Sequence, residues 1–495
     1  MSFPPTPSPA ADSLRRSRPI TSPDNLPIAV IGAGPIGLAA AAHLIQRGLP
    51  VKLYEAGKTV AANVRDWGHV RLFSPWAYNT DTAARALLQS HGWQEPPGMA
   101  MPTGSNLYEA YLKPLSETPE MAAVIETNAK VKAITRHGAD KVLSKAREAK
   151  PFVLAVSDGN GTIRRDLAHA VIDASGTWTS PNPLGAGGIL AEGEAKHAGH
   201  IAYGIPDVLG CDRAAYEGKT TLVVGAGHSA ANVLLDLARL AERNPETSIV
   251  WATRGENLMR VYGGGSADQL PARGELGSKL KALVGSGQVT LVSGFSVTRV
   301  RAAGGQVIVE GETAGGIREV GPIDRIVVST GQRPDLNLTR ELRLDLDPWL
   351  ESSKALGPLI DPNLHSCGSV PPHGHRELAH PEPGFYTVGI KSYGRAPTFL
   401  MLTGYEQVRS VVAAIAGDMA AADDIHLVLP ETGVCSTNLP VDGAPESSGC
   451  CGGPAPANID ACCVADVEAK AKGKSGCGCG SARTPETVAE PAGCC

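Results

Sequence analysis

The stretch that decides the fold begins with a short β-branched run, Ile28-Ala-Val-Ile31, and continues as Gly32-Ala-Gly34-Pro35-Ile36-Gly37. An Ala-rich segment that suits a helix follows, from 38 to 47. A buried strand, a G-x-G-x-x-G turn and a helix in this order predict a dinucleotide-binding unit. Gly32 permits the tight turn, Gly34 lets the backbone approach a pyrophosphate, and Gly37 lets the helix pack closely against the strand.

A second strand completes this unit. The run Val51-Lys-Leu-Tyr54 ends in Glu55, whose carboxylate is placed to accept hydrogen bonds from ribose hydroxyls. The pyrophosphate is expected at the helix N-terminus, where backbone N–H groups are free. The predicted cofactor-binding residues of this first turn are Gly32, Gly34, Pro35, Ile36, Gly37 and Glu55.

The same pattern occurs again from residue 220 onward. The run Thr220-Thr-Leu-Val-Val224 leads into Gly225-Ala-Gly227-His228-Ser229-Ala230, where alanine takes the place of the third glycine. The next predicted strand, 248–254, ends in Arg254 instead of an acid. An arginine there can pair with the 2′-phosphate of NADP, whereas a carboxylate would repel it. We therefore predict NADPH in preference to NADH, with a solvated loop charge as the alternative for Arg254.

Two such turns predict two dinucleotides, and the usual pair is FAD at the first turn and a nicotinamide at the second. Two further strands end in small-residue turns, Ser175-Gly176 and Thr330-Gly331, where we expect the chain to cross between domains and contact the cofactors. We predict an α/β fold with two Rossmann-like domains, the FAD-binding domain discontinuous and the NADPH-binding domain inserted. The predicted ranges are 27–215 and 321–430 for the FAD-binding domain and 216–320 for the NADPH-binding domain, between a disordered leader at 1–26 and a largely disordered Cys-rich tail at 431–495.

Composition excludes several classes of partner. The chain has 495 residues and a formal charge of -5 with scattered Lys and Arg, so nucleic acid is not an expected partner. Residues 15–24 lack the apolar run of a signal peptide, and the apolar run at 28–45 is too interrupted by glycine and proline to span a membrane. We expect a cytoplasmic protein without a membrane partner, and homo-oligomerisation is left open.

On these motifs the chain resembles the flavin-dependent monooxygenases with two dinucleotide-binding domains, over roughly residues 27 to 417. Segment 225–230 is similar to that group's NADPH motif, and Ser329-Thr330-Gly331 to its second flavin-contact turn. Segment 72–80 resembles the one that places an asparagine beside the flavin ring, so the resemblance implies Asn79 as a catalytic residue. It also implies cofactor contacts for Trp67 and Val131, although Trp67 is equally well explained as a packed core aromatic.

The chain departs from this family in two places. The group's F-x-G-x-x-x-H pattern before the NADPH domain is not met by residues 193–200. The aspartate that many related flavoproteins carry after a late strand is also missing, and residues 385–392, which include Lys391, occupy its apparent place.

Cysteine placement indicates the electron acceptor. Disulfide and mercuric reductases need a C-x-x-x-x-C pair just after the first nucleotide helix, and here no cysteine precedes Cys211. Molecular oxygen therefore becomes the expected acceptor, with Asn79 hydrogen-bonding the oxygen at the flavin as the resemblance implies. Cys211 itself is expected to be a buried apolar group. The loop histidines, His373 and His375 among them, are expected to be solvated.

Nine of the eleven cysteines lie in the last 61 residues. Soft thiolates select soft ions, and adjacent cysteines match zinc's usual C-x-x-C spacing poorly. The chain looks like the flavin monooxygenases of bacterial arsenic-resistance operons, which implies a trivalent arsenical or antimonite as a substrate oxidised to its pentavalent form. The alternatives are an N- or S-monooxygenase of a small organic molecule, a metalloid-binding flavoprotein without turnover, and mercury or copper capture by the tail. The predicted metalloid ligands are Cys450, Cys451, Cys462, Cys463, Cys477, Cys479, Cys494 and Cys495.

Overall fold

The structure is a computed structural model that describes residues 25–263, 271–365 and 370–427. The chain divides into two compact units, Met1–Leu439 and Pro440–Cys495, and every described residue belongs to the first. The predicted tail at 431–495 and all but the last two residues of the predicted leader at 1–26 lie outside the described residues.

Sixteen strands and twelve helices make up the described part of the chain. The strands are β1 (Ile28–Ile31), β2 (Val51–Tyr54), β3 (Ile125–Glu126), β4 (Lys130–Arg136), β5 (Phe152–Ser157), β6 (Ile163–Ala168), β7 (Val171–Asp173), β8 (Ile201–Tyr203), β9 (Thr220–Val224), β10 (Ser248–Ala252), β11 (Thr290–Val292), β12 (Ser296–Ala303), β13 (Gln306–Thr313), β14 (Gly316–Ile323), β15 (Arg325–Val328) and β16 (Phe385–Thr387). The helices are α1 (Pro35–Gln46), α2 (Ala62–Asp66), α3 (Thr82–Ser90), α4 (Gly104–Leu107), α5 (Lys113–Glu117), α6 (Pro119–Ala122), α7 (His228–Arg243), α8 (Met259–Tyr262), α9 (Pro271–Gly285), α10 (Gly357–Ile360), α11 (Met401–Ile415) and α12 (Met419–Asp423).

The first sheet is parallel throughout, with the strand order β16-β7-β1-β2-β3. Its helix α1 crosses from β1 to β2 and also contacts α3 and α11. The alanines at 39–42 in α1 are almost completely buried, because small side chains let the helix lie close to both the sheet and the neighbouring helices. Parallel pairing puts the carboxyl ends of β1, β2, β7 and β16 at one edge, where ligands bind in such sheets.

The second sheet repeats this arrangement in the order β11-β10-β9-β15-β8, again parallel throughout. Here α7 crosses from β9 to β10 and packs against α9. The predicted range 216–320 leaves out two strands of this sheet, since β8 and β15 pair with it from outside that range. Sequence spacing could not show this, because a three-residue strand such as β8 carries no periodic signal.

Two antiparallel three-stranded sheets complete the architecture, one of β4, β5 and β6 and one of β12, β13 and β14. Buried residues of the former share a core with β1, and those of the latter share a core with β9. The α/β fold with two Rossmann-like sheets is as predicted. No helix in the described ranges is both long and apolar enough to cross a membrane.

Candidate functional site

A cavity of about 740 Å³ opens at the carboxyl edge of the first sheet. Its walls come from the turn after β1, the end of β2, the start of β4, and the segments that follow β7 and β16. The structure brings together nine of the predicted residues around it: Gly32, Gly34, Pro35, Ile36, Glu55, Trp67, Val131, Ser175 and Gly176. Their roles in cofactor binding stay predictions, but their convergence on one cavity is a structural fact.

The turn after β1 can be built only with glycine at its third motif position. A Cβ added to Gly37 would lie 1.8 Å from the carbonyl oxygen of Gly32, which no side chain could tolerate. A Cβ at Gly34 would meet nothing within 4 Å, so the backbone there faces open space. Free N–H groups at the N-terminus of the twelve-residue α1 and an unobstructed Gly34 fit a pyrophosphate.

The Glu55 carboxylate stabilises this turn from the end of β2. One oxygen accepts a hydrogen bond from the Ala33 N–H at 2.8 Å, and the other accepts one from the Gly57 N–H at 2.7 Å. The residue is 9 % exposed and lines the cavity. Because each carboxylate oxygen has two lone pairs, Glu55 can hold the backbone and still accept from a ribose hydroxyl.

The strand order indicates where each half of a bound dinucleotide would lie. Glu55 lies on the β2 side of the glycine turn, whereas β7 and β16 lie on the other side. A dinucleotide with its adenosine ribose at Glu55 and its pyrophosphate at α1 would direct its second half towards β7 and β16. The walls on that side include Thr177 and Gln332, whose side chains lie 3.1 Å apart, and a buried Lys391.

These three residues were not among the predicted site residues. Lys391 follows β16 and forms an ion pair of 2.7 Å with Asp173 at the end of β7. The two strands lie far apart in sequence and become neighbours only through the sheet. The one available signal was that segment 385–392, which includes Lys391, occupies the apparent place of the missing aspartate.

The second glycine turn has the same backbone plan with different supports. Gly227 is the N-cap of α7, and Ala230 is completely buried at the position that corresponds to Gly37. The Trp251 Nε1–H donates to the Gly225 carbonyl oxygen at 2.7 Å. Ser229 is the second residue of α7. The His228 ring lies 5.3 Å from the ring of Phe73, which follows α2 in the chain.

Strand register locates Arg254 within this second unit. Tyr54 pairs with the last residue of β1, and Ala252 pairs with the last residue of β9, so Thr253 corresponds to Glu55. Thr253 is buried, and the exposed Arg254 comes one residue later. The acid of the first unit is thus replaced by a buried hydroxyl followed by a solvent-facing cation.

Thr330 and Gly331 connect the two sheets. The Thr330 hydroxyl donates to the Asn182 carbonyl oxygen at 3.1 Å, and the Asn182 amide donates to the Thr330 carbonyl oxygen at 3.1 Å. Gly331 has a φ of +87°, which favours glycine. Neither residue lines the cavity described above, whereas the adjacent Gln332 does. Their predicted cofactor contact stays a prediction.

Asn79 ends a short 3-10 turn, Trp76–Tyr78, and is completely buried. Its amide donates to the carbonyl oxygens of Ser74 and Pro75 at 2.8 and 2.9 Å, and its side-chain oxygen accepts from the Ser74 hydroxyl at 3.0 Å. These bonds occupy the side chain within its own turn, and it does not line the 740 Å³ cavity. The catalytic role of Asn79 remains a prediction, while its structural role is visible.

Two expectations about isolated side chains were wrong. Cys211 is exposed, because it lies in the loop after β8. Partial desolvation and the nearby Asp212 and Asp207 carboxylates raise the pKa of its thiol. His373 and His375 are 4 % and 8 % exposed instead of solvated. Each has a partner, since the Gln407 amide lies 3.0 Å from the His373 Nε2 and the Asp423 carboxylate lies 2.8 Å from the His375 Nε2.

The eight tail cysteines predicted as metalloid ligands lie outside the described residues. Within residues 25–263, 271–365 and 370–427, no group of three or more His, Cys, Asp or Glu side chains could hold a metal ion.

Several solved flavoproteins share this fold. Bacillithiol disulfide reductase from Bacillus cereus aligns at 15 % identity over 79 % of this chain and 99 % of its own, with a TM-score of 0.59. The FAD-bound cadaverine monooxygenase DfoA from Erwinia amylovora aligns at 13 % identity over 84 % and 99 %, with a TM-score of 0.58. The ornithine N-hydroxylase of Kutzneria sp. 744 aligns at 13 % identity over 81 % and 100 %, with a TM-score of 0.52.

The curated proteins give no significant match to this sequence. A family profile does match, over residues 29–353, a range that contains both glycine turns and most strands of both parallel sheets. Flavin and pyridine-nucleotide binding, and an oxidoreductase activity that depends on them, follow from this match. The chain belongs to the pyridine nucleotide-disulphide oxidoreductase family.

Proposed function

We propose that this protein is an FAD- and NADPH-dependent monooxygenase that oxidises a trivalent metalloid, such as arsenite, methylarsenite or antimonite, to its pentavalent form. The observation that carries the oxygenase half of the proposal is the cavity wall. No cysteine is among the described residues that line it, and none occurs in the sequence before Cys211. Among the described residues, no thiol pair lies in this wall to take electrons from a bound flavin.

Cys211 is a poor substitute for such a pair. The thiolate is the reactive form, and the raised pKa of this exposed thiol disfavours it at neutral pH. It also stands alone in the loop between β8 and β9, outside the residues that line the cavity. Electrons that enter from NADPH are then expected to pass to molecular oxygen.

The metalloid half of the proposal rests on the tail. Its cysteines include three adjacent pairs, and trivalent arsenic and antimony take two or three thiolates. Such a tail would collect the substrate in a reducing cytoplasm, where thiols stay free. The metalloid keeps a lone pair that can accept an oxygen atom, so the site needs no acid–base triad. The pentavalent product is less thiophilic and would leave the tail.

The overall reaction balances with the cofactors proposed. NADPH supplies two electrons and a proton, one oxygen atom of O₂ goes to the metalloid, and the other leaves as water after taking up a second proton. The flavin, when bound, transfers the electrons from NADPH to oxygen. The part of this chain is to hold the dinucleotides at the two glycine turns and to limit the access of water.

The direct test is NADPH and oxygen consumption by the purified, FAD-loaded chain with and without methylarsenite, arsenite and antimonite. We expect each trivalent metalloid that is a substrate to stimulate both rates equally and to yield its pentavalent form. Binding without added NADPH consumption would instead favour a metalloid-binding flavoprotein that does not turn over. Stimulation by amines or sulfides alone would favour an N- or S-monooxygenase of an organic substrate.

A second experiment isolates the tail. A chain that ends at residue 430 keeps every residue that the structure describes. We expect it to retain its maximal rate but to need a higher metalloid concentration, because the collecting thiolates are gone. A full-length chain with serine at the eight predicted ligand positions is the matched control for length. Unchanged efficiency at low metalloid concentration in both would refute the delivery role.

The family match favours a second candidate, a disulfide reductase whose acceptor thiols are supplied by the tail or by a separate substrate. Fold similarity to bacillithiol disulfide reductase is compatible with it. NADPH consumption under nitrogen separates the candidates, since a reductase turns over with a low-molecular-weight disulfide and without oxygen, whereas the monooxygenase stops after one reduction of its flavin.

A further inference from the structure

A buried lysine lies in the cavity wall on the side opposite Glu55. Lys391 follows β16, Asp173 ends β7, and their side chains are 3 % and 0 % exposed. The Lys391 Nζ lies 2.7 Å from the Asp173 Oδ2. A charge buried this deeply is costly unless it is paired and hydrogen-bonded. The hydrogen-bond partners of both side chains therefore show how the pair is stabilised.

The hydrogen bonds of this pair use two of the three N–H donors of the Lys391 ammonium. The Lys391 ammonium donates to Asp173 and, at 3.0 Å, to the Ser175 hydroxyl oxygen. The Ser175 hydroxyl in turn donates to the Asp173 Oδ1 at 2.6 Å, and the Ser175 N–H donates to the same oxygen at 3.1 Å. An ammonium has three N–H donors, and among the described residues the third finds no acceptor.

The cavity lining distinguishes the two members of the pair. Lys391, Ile390 and Ser175 all line the cavity, whereas Asp173 does not. Lys391 is thus the member of the pair that belongs to the wall of this cavity, and the Asp173 carboxylate accepts hydrogen bonds from three donors. Both residues also line a second, much smaller cavity. Both strand ends lie on the side where the second half of a dinucleotide is expected.

We propose that Lys391, held by Asp173 and Ser175, presents a fixed positive charge to the flavin half of bound FAD and raises its reduction potential. The proposal rests on FAD binding and not on the metalloid or on oxygen. Hydride transfer from NADPH adds two electrons and one proton and releases NADP⁺, so the reduced flavin carries one more negative charge than the oxidised flavin. A neighbouring cation in a partly desolvated wall favours the more negative state.

The test is the reduction potential of the FAD-loaded protein, measured anaerobically against a reference dye. Replacing the cation by a neutral side chain of similar length, Lys391→Met, is expected to shift the equilibrium at least tenfold towards oxidised flavin, a decrease of about 30 mV for two electrons. Lys391→Arg keeps the charge and is expected to shift it less than threefold. Arg136→Met disturbs a different buried ion pair, with Glu382, away from the cavity, and is expected to leave the potential unchanged.

Lys391→Met leaves the Asp173 carboxylate buried without its partner, which could prevent folding. The double variant Lys391→Met with Asp173→Asn removes both charges and keeps the proposal testable. Because Lys391 and not Asp173 is in the wall of the 740 Å³ cavity, we expect the double variant to lower the potential as well. A potential within threefold of the unaltered protein in the FAD-loaded double variant overturns the proposal.

The outcome is independent of the proposed function. An unchanged potential together with metalloid-stimulated oxygen consumption would reject the role of Lys391 alone. A lowered potential together with no stimulation by any metalloid would reject the proposed substrate alone. The two readouts share only the requirement that the protein is loaded with FAD.

Discussion

The two glycine turns of this chain have the same backbone plan and opposite chemistry around it. In both, the first motif residue donates its N–H to the last residue of the neighbouring strand, Gly32 to Tyr54 at 2.7 Å and Gly225 to Ala252 at 3.2 Å. The first turn is then fixed by the buried Glu55 carboxylate, whereas the second has the buried Thr253 and the exposed Arg254 in the corresponding place.

From this difference we expect the residues beside the glycine motif, and not the motif itself, to set the nucleotide preference of each unit. A carboxylate that already holds two backbone N–H groups is preorganised to accept from a ribose and repels a 2′-phosphate. A solvent-facing arginine has no such structural duty and is available for a phosphate.

The third motif position gives the largest contrast. Gly37→Ala forces a methyl group against the Gly32 carbonyl oxygen, so we expect a loss of about 3 kcal/mol of unfolding free energy and less than a tenth of the normal flavin content. The matched change in the second turn, Ala230→Gly, should cost about 1 kcal/mol as a helix substitution and leave the flavin bound. Flavin absorbance and urea unfolding measure both. Full flavin content in Gly37→Ala would contradict this account of the turn.

Removing one charge beside the first turn comes next. Glu55→Gln puts an amide NH₂ against the N–H of Ala33 or Gly57 and removes charge-assisted bonds, a loss of about 2 kcal/mol, so the FAD dissociation constant should rise roughly thirtyfold. Fluorescence titration of the apoprotein measures it. Glu256→Gln, at an exposed glutamate near the second turn, is the control and should bind FAD normally. Equal affinities in the two variants would show that the Glu55 charge is irrelevant.

The corresponding experiment at the second glycine turn removes the cation beside it. Arg254→Ala should raise the KM for NADPH roughly tenfold and change the KM for NADH less than twofold, because only NADPH carries the 2′-phosphate. Arg243→Ala, at the exposed end of α7, controls for a general loss of positive charge. Steady-state kinetics with both nucleotides measures these two KM values. An equal rise in the KM for NADPH and for NADH would show that Arg254 is a solvated loop charge.

The smallest expected effect is a pH dependence confined to the FAD-binding side. Burial lowers the pKa of His380 from 6.5 to about 4. The unfolded chain then binds more protons between these values, so stability is complete above pH 6.5 and declines as pH falls towards 4. Between pH 7.5 and 5.5 the loss should be about 1.4 kcal/mol. In urea unfolding, His380→Gln should remove most of this loss of unfolding free energy between pH 7.5 and 5.5. An unchanged pH dependence of the unfolding free energy would exclude His380 as its source.

Much of the fold could be predicted because its signals are local. Gly32, Gly34 and Gly37 stand next to a strand and a helix in sequence, and local order alone identifies the unit. The pairing of β8 and β15 with the second sheet could not be predicted, since it depends on contacts between segments far apart in the chain. The same holds for the Lys391–Asp173 pair, which exists only because β16 lies beside β7. Asn79, chosen by resemblance, proved to be a buried turn residue whose role awaits experiment.

We propose that electrons from the second nucleotide site reach oxygen through the first and are used on a trivalent metalloid. The stoichiometry of NADPH, oxygen and methylarsenite consumed by the FAD-loaded chain in one sealed vessel tests this proposal. We expect one molecule of each to be consumed per molecule of pentavalent product, and no steady NADPH oxidation once oxygen is removed. Continued NADPH oxidation without oxygen, with a disulfide as the acceptor, would contradict it.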